Sequence, residues 1–244
     1  MELFSGLKNA VKWVGGKIVE GVETVVDCTL EVCQTVAQAA ADGIQWLQDK
    51  IEHWRPKNPP VEPVYPEAKE ADEKLIDPVV KKIEEHFPTG ISNFVEQTTE
   101  EKRAEKIAEL VPVIAQTMGI KNIPEVEFYV PEDEEVVSYG AYNWRENKLK
   151  LNLAMAVSND KEIYKEQVST VLHELIHARQ IGAVKAWICG ESIEEYGYQE
   201  SYIHMLANNM FNYITIDESP EAYVKQPLEA EAFWFESKVK PSLN

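Results

Sequence analysis

The sequence predicts an α+β fold in which helices dominate and three short strands precede one long helix. Apolar residues recur at the helical period over residues 99–118, 160–181 and 227–239. Three short stretches rich in β-branched, aromatic or alternating apolar residues fall together between residues 126 and 153. A proline-crowded stretch separates all of these from an amphipathic N-terminal segment. A chain of 244 residues, 44% of them hydrophobic, is long enough to bury a substantial core.

From Leu3 to Trp54 the apolar positions step by about 3.6 to 3.7 residues, as in Leu7, Val11, Val14, Ile18 and Val22. Residues 1–54 are therefore expected to form one long amphipathic helix or a helix pair, with Gly15-Gly16 as the natural break. Residues 3–54 are a candidate contact for a membrane surface, favoured by Lys8, Lys12 and Lys17, or for a partner helix. Residues 55–66 carry five prolines, too many for a helix or a central strand, and read as a stiff linker and domain boundary. Residues 67–98 read as an acidic helical connector, its helix over Glu67 to Phe87 a solvated one that ends at Pro88-Thr89-Gly90.

The main folded domain is expected over residues 99–244. Its first helix starts at a Thr99 cap, has Glu100 and Glu101 in its first turn, and stops at Gly119, with Pro112 a place for a kink or break. Strands are expected at Val126–Val130, Val136–Tyr142 and Lys148–Leu153, the last with Leu149, Leu151 and Leu153 on one face. A long helix over Asp160–Ile181 follows, then a helical, aromatic-rich stretch from Ser192 to Ile214 and a final helix from Pro227 to Val239.

Composition excludes several classes. A net charge of −18 with no basic patch argues against nucleic acid as a partner, since phosphate binding needs a cationic surface. Cys28, Cys33 and Cys189 have neither the number nor the spacing of a disulfide framework or zinc ribbon. No secretory leader is visible, and no apolar run reaches the roughly 18 residues of a spanning helix. The expectation is synthesis in the cytoplasm, with any export left to a specialised secretion system.

The pentapeptide His173-Glu174-Leu175-Ile176-His177 lies inside the long helix. Positions i and i+4 share a helix face, so His173 and His177 can close on one metal ion while Glu174 sits beside it. Two imidazoles and one carboxylate leave the fourth position of a zinc ion open to water, and Glu174 is the general base that takes the water proton and passes it to a leaving amine. The chemistry is amide hydrolysis, most naturally of a peptide bond. No histidine follows in residues 178–188, so the third ligand comes from elsewhere: Glu229 or Glu231 near the C-terminus, with Glu194, Glu195, Glu200 and His204 also open. Tyr223 and His204 are candidates for the donor that stabilises the developing oxyanion. Gln180 can bond a ligand or line the cleft, and Arg179 reads as a surface or structural ion-pair partner.

These residues resemble the gluzincin branch of zinc metallopeptidases, and within it the small minigluzincin domains, over roughly Thr99 to Val239. In that group a Glu-X-X-Ala element on a later helix supplies the third ligand, which the resemblance places at Glu229 with Ala232. Glu231 projects about 200° away on the same helix, so only one of the two can face the metal. The chain departs from the pattern at Phe233, where relatives often carry an Asp or Asn that orients a ligand, so a different group must take that role. The resemblance also implies a zincin fold with a small twisted sheet whose last strand lies along the cleft. Gly140-Ala141-Tyr142 and Lys148–Leu153 match that order, and an edge strand so placed holds a peptide by strand addition. Lys148, Lys150 and Asn152 are then expected to face away from the core.

The function implied is that of a zinc-dependent endopeptidase acting on a protein or peptide substrate. The layout of amphipathic segment, proline-rich linker and catalytic domain resembles bacterial secreted effectors, polymorphic toxins and phage-related proteins. The alternative is a catalytically inactive zincin-fold component, binding or structural, of a phage-like particle or delivery complex.

Overall fold

The computed structural model describes residues 66–131 and 139–243. The amphipathic segment, nearly all of the linker and the first residues of the expected second strand lie outside the described residues. The described chain is α+β and mostly helical. Its elements are α1 (Pro66–His86), α2 (Ile91–Gln97), α3 (Glu100–Thr117), β1 (Glu125–Tyr129), β2 (Gly140–Asn143), β3 (Lys148–Asn152), α4 (Leu153–Ala156), α5 (Lys161–Ile188), α6 (Glu200–Phe211), α7 (Pro220–Lys225) and α8 (Pro227–Val239).

Local chemistry sets several boundaries. The Thr99 side chain accepts from Lys102 N and starts α3, as expected. Pro112 does not divide that helix, whose Leu110, Val111, Ile114 and Ala115 are all buried on the core side. Asp160 caps α5 by accepting from the backbone of Glu162 and Ile163. That helix runs past the expected end at Ile181 because Ala183, Val184 and Ala186 are buried in a second apolar cluster with Tyr196, Tyr198 and Leu206. A Cβ at Gly182 would lie 3.0 Å from the Tyr196 hydroxyl, so glycine admits this packing in mid-helix.

The expectation of a solvated connecting helix from Glu67 to Phe87 is corrected. Val79, Ile83 and Phe87 on and just past α1, with Ile91 and Val95 of α2, are buried in the same core as Trp234 and Phe235 of α8. A narrow apolar stripe was outweighed in the sequence by the charges flanking it. The domain therefore includes α1 and α2.

The described strands form one sheet in the order β1-β3-β2, with β1 parallel and β2 antiparallel to β3. The strand expected along the cleft, Lys148–Leu153, is the central one. Paired on both sides, it has no edge to offer, and the edge nearest α5 belongs to β2. Asn152 does not face solvent: it is buried, and its side chain caps α4 by accepting from Ala154 N, which also turns Leu153 from strand into helix. A Cβ at Gly140 would come 2.8 Å from Thr170 Cγ2, so glycine lets β2 lie directly on α5. Among the described residues no helix is long and apolar enough to cross a membrane.

Candidate metal centre

His173 and His177 stand one turn apart on α5, and α8 lies against that helix with Glu229 facing them. The two Nε2 atoms are 3.1 Å apart, His173 Nε2 is 3.2 Å from Glu229 Oε2, and His177 Nε2 is 3.3 Å from Glu229 Oε1. Zinc–nitrogen bonds of about 2.0–2.1 Å in a tetrahedron put neighbouring donors about 3.3 Å apart. Each of these contacts has about that length, the two to Glu229 ending on different oxygens of its carboxylate, and one ligand atom from each residue lies within 4.8 Å of the other two. It is the one His/Cys/Asp/Glu group among the described residues that gathers tightly enough to hold a metal.

Each histidine is gripped at its other nitrogen. His173 Nδ1 lies 3.3 Å from Glu236 Oε2, and Glu236 Oε1 accepts from Ser169 Oγ at 2.8 Å. His177 Nδ1 is 2.9 Å from Gln180 Oε1. Partners on Nδ1 leave Nε2 of both rings for a metal and fix the ring planes. Glu236 is thus the carboxylate beside His173, while Phe233 packs edge-on against the His173 ring at 4.6 Å. Nothing in the local sequence marks Glu236, which is seven residues past Glu229 on one helix.

The remaining ligand candidates are placed elsewhere. Glu231 is buried but bonds Tyr202 and Gln180, away from the histidine Nε2 atoms. Glu194 and Glu195 are exposed, and Glu195 pairs with Lys121. Glu200 accepts from Trp187 Nε1 at 3.1 Å. His204 is corrected both as ligand and as oxyanion donor. It is exposed, 3.7 Å from Glu200, with its ring on Trp187. Trp187 is ten residues beyond His177, about 15 Å along α5.

Glu174 is nearly buried, and one carboxylate oxygen accepts from the Tyr142 backbone N–H of β2 at 2.8 Å. Burial raises its pKa, partly offset by the neighbouring histidines. Burial also opposes charge on His173, but its bonds to Glu229 and Glu236 outweigh this and raise its pKa to about 10. His177 is raised too, burial being overcome by Glu229. Glu229 is held well below the usual carboxylate range, its own burial overcome by His177 and His173. The electrostatics favour positive charge where these groups meet, and a divalent cation satisfies that preference as protons do.

Tyr223 is brought to the site. Its ring is 6.2 Å from Tyr213 and 6.3 Å from Phe233, and burial followed by the Glu229 charge raises its hydroxyl pKa, keeping it a donor. Tyr213 was not singled out in the sequence, yet its hydroxyl donates to Glu229 Oε1 at 2.6 Å. It lies in a loop after α6 with no spacing signal. Arg179 is a buried ion-pair partner of Asp72, not a surface one.

This arrangement defines a largely buried group of two histidines and one carboxylate, with the Glu174 carboxylate beside it. Comparison with protein families, curated proteins and solved structures gives no match.

Proposed function

We propose that this protein is a zinc-dependent endopeptidase of gluzincin type, with His173, His177 and Glu229 as metal ligands and Glu174 as general base. The observation that carries the reading is the convergence of the three donor groups, each histidine held at Nδ1, beside a desolvated Glu174. Zinc held there supplies Lewis acidity and a water acidic enough to ionise near neutral pH.

The chain's own groups supply the rest. Burial gives Glu174 a raised proton affinity, suited to accepting a proton and returning it to the leaving amine nitrogen. The Tyr142 N–H holds one oxygen of that carboxylate and ties the base to β2. The outer edge of β2 is where an extended peptide would add as a strand. Tyr223 is the hydroxyl donor for developing negative charge.

Metal analysis of the purified chain should give about one zinc per molecule, with affinity lost in His173→Ala. Glu174→Gln should keep zinc and abolish cleavage of a peptide library. A metal-free wild type, or identical cleavage products from wild type and Glu174→Gln, would overturn the proposal. Zinc binding without cleavage of the library or of a cell extract would favour the inactive, binding or structural alternative.

A further inference from the structure

Glu231 shares α8 with Glu229 but faces the opposite way, into a buried polar group under the C-terminal half of α5. Its Oε2 accepts from the Tyr202 hydroxyl at 2.5 Å and from Gln180 Nε2 at 2.8 Å, and its Oε1 accepts from the Tyr198 hydroxyl. Tyr198 in turn accepts from Arg179 Nη1 at 2.6 Å, and the same nitrogen donates to Asp72 of α1 at 2.5 Å. All six side chains are buried. So dense a polar group is costly to desolvate, and general packing gives no reason for it.

Gln180 connects this group to the metal centre. Its amide nitrogen has two acceptors, Leu228 O at 3.0 Å and Glu231 Oε2, while its amide oxygen meets His177 Nδ1 at 2.9 Å. An amide can turn either its nitrogen or its oxygen to a neighbour. Here two acceptors on one side decide which: the nitrogen faces them, and the oxygen faces His177. The imidazole nitrogen facing that oxygen must carry the proton. Nε2 is then left with its lone pair, pointing at His173 and Glu229.

We propose that Glu231 is a positioning residue for the metal centre, fixing the orientation and tautomer of His177 through the Gln180 amide. Tyr198, Tyr202 and the Arg179–Asp72 pair hold it in place, which makes α1 part of the support of the site. The inference rests on the proposed metal centre, and Glu231 touches neither metal nor substrate.

The test is the zinc affinity of the full chain, measured by chelator competition for wild type, Glu231→Gln, Gln180→Leu and the double variant. Loss of a group orienting a ligand lowers metal affinity by about 10–100-fold, and that is the loss expected for Glu231→Gln. Because Glu231 acts through Gln180, the same substitution in the Gln180→Leu background should cost about twofold or less. A purely structural role would give independent losses that multiply, and that result overturns the proposal, as does unchanged affinity in Glu231→Gln. Long-range proton–nitrogen spectra of the zinc-loaded wild type should place the His177 proton on Nδ1. Melting of the metal-free variants reports folding. If Glu231→Gln does not fold, Gln180→Leu alone decides: about tenfold weaker zinc binding is required, and unchanged affinity overturns the proposal. A wild type that binds no zinc overturns the metal centre itself, an outcome distinct from variants that bind as wild type does.

Discussion

Phe87→Ala tests whether α1 and α2 belong to the domain. Phe87 follows α1 directly and is 3% exposed. Its ring meets those of Phe94 at 5.4 Å and Tyr164 of α5 at 6.3 Å, both edge-on, so one side chain joins the ends of α1 and α2 to the helix that carries the histidines. Truncating a buried phenylalanine costs about 3–5 kcal/mol, and the loss of two aromatic pairs places this site in the upper half of that range. For a domain of this size each kcal/mol moves the thermal midpoint by about 2–4 °C, so a loss of about 4 kcal/mol lowers it by about 8–16 °C. Thermal unfolding followed by circular dichroism reads the shift, and a urea titration with unchanged slope would attribute it to stability alone. A surface position on a solvated connector would change stability by less than about 0.5 kcal/mol. A midpoint lowered by less than about 2 °C would refute the packing of residues 66–97 against the domain.

Two further predictions concern the site. Gly140→Val forces a side chain against Thr170 and the Lys150 carbonyl, so β2 must lift from α5 and the Tyr142 N–H must leave Glu174; peptide cleavage should fall about 100-fold with zinc content unchanged, and full activity would show that β2 does not position the base. Tyr223→Phe should lower kcat by about 100-fold while KM and zinc content hold, and a wild-type kcat would remove Tyr223 from the reaction.

The parts of this molecule legible in the sequence are those encoded locally. The pentapeptide needs only the helical period to place two imidazoles together, and Thr99, Asp160 and Pro227 mark helix starts by the chemistry of capping. Strand order was not legible, because Leu149 and Leu151 show the same alternation on a central strand as on an edge strand. Glu236 and Tyr213 acquire their roles only when α8 and the loop after α6 meet α5 in space. Asp72 looked like one more acid on a charged helix, and its pairing with Arg179, more than a hundred residues away, is a tertiary fact.

The buried charges bear on what kind of ion the centre suits. Glu174, Glu229, Glu231 and Glu236 are all nearly or fully buried, and Arg179 is the cation among them. Asp72 is buried as well and pairs with Arg179, and its desolvation, with Glu231 nearby, raises its pKa. With neutral histidines, these carboxylates outnumber the one guanidinium among them. An uncompensated charge in such surroundings is strongly destabilising, so further positive charge is required. A divalent ion supplies more of that charge than a monovalent one. Burial raises the pKa of Glu174, and a general base needs that property: a reason to gain a proton. On the proposed reading, the buried carboxylates gathered here favour a divalent cation between the histidines, and burial gives Glu174 the proton affinity its role calls for.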